Sequence, residues 1–456
     1  MAHSPYVFFI ASAAALGGFL FGFDTAVING TVTALRNHFH ADAVQVGLAV
    51  SLALLGSALG AFFAGQLADR YGRVPVMVMA AVAFTLSALG SGLAVGLGDF
   101  IAWRVLGGIA VGAASVIAPA YIAEVAPADI RGRLGTLQQL AIVIGIFLAL
   151  LSNYVLADLA GSAEKPLWLG YSAFRWMFWS ELPPALLYGL IALRIPESPR
   201  YLVARGRDAE AQAVLQRVGA TDSVAEIRRT VVSDHKPRLR DLLQAGSGLL
   251  PIVWVGMALS ALQQLVGINV IFYYSSVLWR AVGFSEGDAL WITVITGGTN
   301  IVTTLIAIAY VDRFGRKPLL IWGSIGMMLS LAAMAIMFGT APVLPDGSPN
   351  LGGSLGIIAC IVANLYVFCF GFSWGPVTWV LLGEMFNNRI RGAALSVAAA
   401  TQWVANFAVS TSFPPLLDFA GLGVAYGMYA LWALVSLFFV LRFIRETKGV
   451  TLEAMR

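Results

Sequence analysis

Long apolar runs recur from one end of this chain to the other, separated by short polar stretches. A helix that crosses the hydrocarbon core of a bilayer needs about 20 mostly apolar residues. Twelve stretches meet that requirement, over 7–32, 44–66, 75–95, 99–123, 133–156, 173–195, 250–279, 288–311, 319–340, 355–384, 391–415 and 424–444. Lipid offers no hydrogen-bond partners, so each stretch is predicted to pair its backbone internally as a helix. The opening run from Val7 to Ile28 has no basic region before it and no small-residue cleavage site, so it reads as the first span rather than a signal peptide. One long polar stretch interrupts the series, over 196–249. Within it, charged and apolar residues alternate at helical spacing over 208–217 and 222–232, which predicts short amphipathic helices, a disordered linker being the alternative. The expected organisation is a six-helix bundle over 1–195, linker helices over 196–249, a second bundle over 250–445 and a tail over 446–456.

Composition agrees with lipid as the solvent. Charged residues make up 11% of the chain, against about 25% in soluble domains. The net charge of +4 could suggest a nucleic-acid partner. The basic residues lie mainly in short inter-span loops, however, so the reading is membrane orientation and no nucleic acid. The loops on the side of both termini, with their helix ends, hold 23 of the 28 Lys and Arg residues. That asymmetry predicts a multi-pass protein of the plasma (inner) membrane with cytoplasmic N- and C-termini. All four histidines fall outside the spans, and Cys360 and Cys369 share one apolar segment, so neither a metal nor another cofactor is expected. No nucleophile–base pair or phosphate-cradling loop argues for an enzyme.

The two halves repeat each other. Asp69-Arg70-Tyr71-Gly72-Arg73 follows the second span, and Asp312-Arg313-Phe314-Gly315-Arg316 follows the eighth, 243 residues later. Glu124 with Arg131-Gly132 returns as Glu384 with Arg391-Gly392, 260 residues later. Two parallel six-span repeats around a midplane site are one known transporter design.

With these motifs the chain resembles the sugar porter family of the major facilitator superfamily over nearly its whole length. Gly65-Gln66-Leu67-Ala68-Asp69-Arg70-Tyr71-Gly72-Arg73 is general to the superfamily. Pro196-Glu197-Ser198-Pro199-Arg200, Gln263-Gln264-Leu265-Val266-Gly267-Ile268-Asn269 and the terminal Glu446-Thr447-Lys448-Gly449 are more specific to sugar porters, although Arg445 stands where proline is usual. The resemblance implies an all-α membrane fold of twelve helices and alternating-access transport of a monosaccharide by a monomer, D-glucose being the first expectation. Facilitative uniport, a preference for fructose or xylose, and a sugar sensor remain as alternatives.

A sugar presents a ring of hydroxyls and an apolar face. Its site needs carboxamides that donate and accept together, plus an aromatic plane. The resemblance assigns these roles to Gln139, Gln263, Gln264, Asn269, Asn300 and Gln402, with Trp379 and Trp403. The structural alternative for each amide is a helix–helix hydrogen bond. Gln263 and Asn269 lie six apart, on different faces of an unbroken helix, but Gly267 permits a break between them.

Charged groups inside spans mark ion paths. Asp24, Arg104 and Glu181 are three such residues, and the resemblance makes Asp24 a proton carrier whose affinity Arg104 controls by approach and retreat. A fixed ion pair is the alternative. At the cytoplasmic helix ends, the resemblance assigns gating to Asp69, Arg73, Glu124, Arg131, Glu197 and Arg200 in the first half. Arg316, Glu384 and Arg391 are their counterparts in the second, with Asp312 and Arg313 beside them.

Overall fold

The computed structural model describes residues 5–127, 130–219, 224–233, 239–244, 248–342, 351, 354–386 and 390–446. Its helices in chain order are α1 (Pro5–Val27), α2 (Val32–His38), α3 (Ala43–Tyr71), α4 (Arg73–Leu93), α5 (Leu97–Val125), α6 (Arg131–Ala160), α7 (Ala173–Trp179), α8 (Leu182–Ala192) and α9 (Pro199–Ala204). They continue as α10 (Asp208–Val218), α11 (Val224–Ser233), α12 (Pro251–Leu265), α13 (Ile268–Ala281), α14 (Glu286–Phe314), α15 (Arg316–Gly339), α16 (Ser354–Gly371), α17 (Trp374–Met385) and α18 (Arg391–Phe443). A two-residue antiparallel ladder, β1 (Leu243–Gln244) with β2 (Gly248–Leu249), precedes α12.

Among the described residues, ten helical stretches are long and apolar enough to cross a membrane. The last runs for 51 residues, from Ala393 to Phe443. At about 1.5 Å per residue that is far longer than a bilayer core of about 30 Å. It is two spans joined at Gly421, where the backbone leaves helical geometry at φ 75°. The remaining span is divided into α7 and α8, each too short to cross alone. The fold is therefore an all-α membrane protein with twelve spanning helices.

Spans six, seven and ten are each divided, the last at Phe372-Ser373. Ser180 and Glu181 separate α7 from α8, and Pro183 and Pro184 open α8. Proline lacks an N–H, so it suits the first turn of a helix and not the middle of one. Gly267 separates α12 from α13 in the left-handed conformation, φ 84° and ψ 19°, and the ring of Tyr429 packs against it.

The described chain forms two compact units. Unit 1 comprises Met1–Val27, Leu52–Ser152 and Arg175–Lys236. Unit 2 comprises Ile28–Ser51, Asn153–Phe174 and Pro237–Arg456. Lipid does not drive apolar helices together, so close backbone approach must. In unit 1, a Cβ added to Gly56 or Gly60 of α3 would strike the carbonyl oxygen of Val105 or Ile109 on α5. One added to Gly108 or Gly112 of α5 would strike that of Ala53 or Ser57 on α3. Gly108→Val is expected to destabilise the protein by about 3 kcal/mol or more, seen as a lower thermal midpoint and loss of monodisperse protein in detergent. The same change at Gly98, with nothing within 4 Å of its Cβ position, should be tolerated.

Candidate functional site

Unit 1 buries a charge cluster. Arg104 of α5 donates from Nη1 to Asp24 Oδ1 of α1 at 2.7 Å and from Nη2 to the Asp24 carbonyl at 2.8 Å. Their side chains are 3% and 1% exposed. Phe178 of α7 covers the guanidinium at 5.8 Å from its ring centroid. Glu181, 1% exposed, stands beside the pair at the α7–α8 break. Asp24 Oδ2 and both Glu181 oxygens have no partner among the described residues. The sequence-predicted trio is thus brought together in one buried cluster. Gln139 also belongs to unit 1, on α6, half-buried, beside the buried Gln138.

Unit 2 assembles the amides of the seventh span. Gln263 donates from Nε2 to the carbonyls of Trp374 at 2.8 Å and Gly375 at 3.2 Å. Gln264 Nε2 donates to Gln263 Oε1 at 3.3 Å, and Asn269 Nδ2 donates to Gln264 Oε1. The break at Gly267 lets Asn269 reach back across the α12–α13 junction. A short line of carboxamides results, ending on the first turn of α17. Asn300 of α14 is 8% exposed and lies next to Gly371 of α16. Gln402 and Trp403 of α18 are half-buried, and Gln402 Oε1 has no partner among the described residues. Trp379 of α17 is 43% exposed, so its ring is free to meet a ligand or lipid. Trp374, one turn earlier, is instead a core residue that donates to Ser324 Oγ at 2.9 Å.

Several of the charges expected to gate pair with residues of their own unit. In unit 1, Arg73 donates to Glu124 at 2.9 Å and lies 3.5 Å from Asp69. Ser198 Oγ donates to Glu124, and Glu197 accepts from the backbone N–H groups of Arg73 at 2.9 Å and Val74 at 3.2 Å. In unit 2, Arg316 holds Glu384 bidentately at 2.6 and 3.0 Å, while Glu446 accepts from the N–H groups of Arg316 and Lys317, both at 3.0 Å. Each half thus places a carboxylate on the first N–H groups of a helix, after a glycine with positive φ (Gly72, 106°; Gly315, 89°). Arg200 is exposed at the start of α9. Arg131 and Arg391 open α6 and α18, but their side chains, like that of Asp312, lie outside the described residues, as do Thr447, Lys448 and Gly449 altogether.

Several polar residues escape sequence reasoning. Asn29, fully buried, donates to the Phe272 carbonyl at 2.9 Å and accepts from the Ser276 N–H at 3.2 Å. Asn406, 4% exposed, donates to the hydroxyl of Tyr273. Thr378, one residue before Trp379, is fully buried with its hydroxyl unpartnered among the described residues. Asn29 carries no local signal, because its partners lie 243 and 247 residues away. Asn406 falls one turn after Gln402, a spacing that could have pointed to it.

Twelve spanning helices with buried charges and amides define a multi-pass membrane transporter. The sequence matches the family described as Sugar (and other) transporter over residues 10–456, and the chain belongs to that family. It is 65% identical to the glucose transport protein of Synechocystis sp., with 100% of this chain and 98% of that protein covered. It is 39% identical to the D-xylose-proton symporter of Escherichia coli, with 99% and 96% covered. The inward open conformation of the xylose transporter from E. coli superposes with a TM-score of 0.84 at 36% identity, covering 99% of both chains. The protein is a sugar transporter.

Removing either capping carboxylate should loosen the helix it caps. Glu197→Ala or Glu446→Ala is expected to cost about 1–2 kcal/mol, measurable as a lowered thermal midpoint. Amide hydrogen exchange should speed up in the first turn of α4 or α15 respectively and not in the other.

Proposed function

We propose that this chain is a monosaccharide–proton symporter that brings D-glucose into the cytoplasm by alternating access. It works as a monomer in the plasma membrane, with both termini cytoplasmic and 1–195 and 250–445 as the bundles that rearrange. The observation that carries the proton half is the Asp24–Arg104 pair, 2.7 Å apart, buried beside a second carboxyl. A charge inside a bilayer is costly and is retained where it works. Asp24 carries the proton; Arg104 holds the ionised form and releases it on protonation; Glu181 takes part as a neighbour whose own charge depends on both.

The sugar half rests on the carboxamide line of Gln263, Gln264 and Asn269. With Asn300, Gln402 and Gln139 these supply paired donors and acceptors for hydroxyls, and Trp379 and Trp403 supply apolar planes. The likeness to a glucose transport protein over the whole chain supports D-glucose as substrate, and the D-xylose-proton symporter supports coupling. The charges Asp69, Arg73, Glu124, Arg131, Glu197 and Arg200, with Arg316, Glu384 and Arg391, bias the gate. An exposed pair contributes about 0–1 kcal/mol, so the networks tip a two-state balance instead of locking it.

The test is uptake of labelled D-glucose, D-xylose and D-fructose into proteoliposomes with and without an acid-outside pH gradient. D-glucose is expected to exceed its external concentration with the gradient and to fall back when a protonophore is added. Equilibration at the same level with and without the gradient would mean uniport, and absence of D-glucose uptake would overturn the substrate.

A further inference from the structure

Hydroxyls inside membrane helices commonly donate to the carbonyl one turn earlier. This chain follows that habit at many positions, Ser260 and Thr378 of unit 2 being exceptions. On α4, Thr85 donates to the Ala81 carbonyl at 2.8 Å; Ser57 of α3 donates to Ala53 at 3.1 Å and Ser324 of α15 to Leu320 at 2.8 Å. Ser87 and Ser91 depart from it. They lie one turn apart on α4, are 0% and 2% exposed, and neither Oγ has a partner among the described residues. Each leaves a donor and an acceptor open in a part of the protein where an unmade hydrogen bond costs about 1–3 kcal/mol.

The Ser87 hydroxyl stands next to the charge cluster. A methyl group on Gly107 of α5 would sit 3.0 Å from Asp24 Oδ1 and closer still to Ser87 Oγ. The absence of that methyl leaves a space bordered by both oxygens, which make no direct hydrogen bond to each other. Both oxygens lie close enough to one methyl position for two hydrogen bonds through one water, roughly 5 Å, to reach from one to the other. The ionisable groups near Asp24 are Arg104 from α5, Glu181 from the α7–α8 break and, two helix turns away at Gly17, the hydroxyl of Tyr188 from α8. On α4 itself, 87–91 has none. Past Ser91, Arg175 donates to the carbonyls of Gly92 and Ala94 and so marks the Leu93 end of the helix.

We infer that Ser87 and Ser91 are the fixed hydroxyls of a water-assisted relay that carries the coupled proton between the Leu93 end of α4 and Asp24, with water joining Ser91 to Ser87 and Ser87 to the carboxylate. Each hydroxyl or water accepts a proton on one lone pair as it passes its own O–H proton onward, so only O–H bonds form and break. The route lies wholly within unit 1 and is separate from the carboxamides of unit 2. It rests on the reading of Asp24 as the proton carrier.

The experiment compares Ser87→Ala, Ser91→Ala, Ser87→Thr and the control Thr85→Ala in proteoliposomes. For each, gradient-driven D-glucose uptake is divided by D-glucose counterflow at equal pH, and sugar-dependent proton flux is followed with an internal pH dye. Ser87→Ala is expected to lower that ratio and the proton flux about tenfold. Ser91→Ala should lower both in the same direction, Ser87→Thr should restore both, and Thr85→Ala should leave both at the wild-type level. A wild-type ratio in Ser87→Ala, or uptake and counterflow falling in parallel, would overturn the relay. If Asp24→Asn abolishes gradient-driven uptake while Ser87→Ala does not, the relay fails and the carrier stands. If the wild type shows no gradient-driven uptake, the coupling reading fails and the relay with it.

Discussion

A charge placed in hydrocarbon must find its counter-charge inside the protein, because the solvent there cannot supply one. Arg104 and Asp24 meet that demand with two short hydrogen bonds from one guanidinium, one to the carboxylate and one to its backbone carbonyl. The second matters as much as the first. It ties Arg104 to the α1 backbone as well as to the carboxylate. Removing one partner of such a buried pair is strongly destabilising, by about 3–5 kcal/mol in soluble proteins. The cluster thereby constrains how α1, α5 and the α7–α8 break can pack.

Much of the rest follows from making room for that cluster. Glu181 reaches it because span six is interrupted, and the two prolines that follow keep the interruption in place. Gly107 leaves the space that Ser87 and Asp24 share. The tight glycine contacts between α3 and α5 hold α5, and with it Arg104, at a fixed depth. In unit 2 a comparable interruption at Gly267 serves amides instead of charges, and lets Asn269 bond Gln264 across it.

The parts of this account legible in the sequence are those with a local signature. Apolar length marks the spans, although the division of span six, signalled by Ser180-Glu181 and Pro183-Pro184, does not show in apolar length alone. Gly267 flagged the break that reconciles Gln263 with Asn269. The amphipathic spacing over 208–217 and 222–232 matches α10 and α11 closely. Charges in apolar runs pointed to Asp24, Arg104 and Glu181. What stayed hidden depends on contacts between distant segments. Serine is unremarkable in a membrane helix, so the open hydroxyls of Ser87 and Ser91 emerge only when their neighbours are placed. Asn29 reads as one polar residue near a helix end until α13 is brought against it. The carboxylate caps are intermediate: both motifs were visible, but not that Glu197 and Glu446 bind backbone N–H groups while Arg73 and Arg316 turn to Glu124 and Glu384.

The most direct measurement is transport by Asp24→Asn, which keeps the side chain's shape and removes its titration. If Asp24 carries the proton, the variant will exchange D-glucose across proteoliposomes in counterflow but will not accumulate it under an acid-outside gradient, and sugar addition will move no protons. Accumulation by Asp24→Asn at the wild-type level would contradict the account, because the proton would then have to travel on another group.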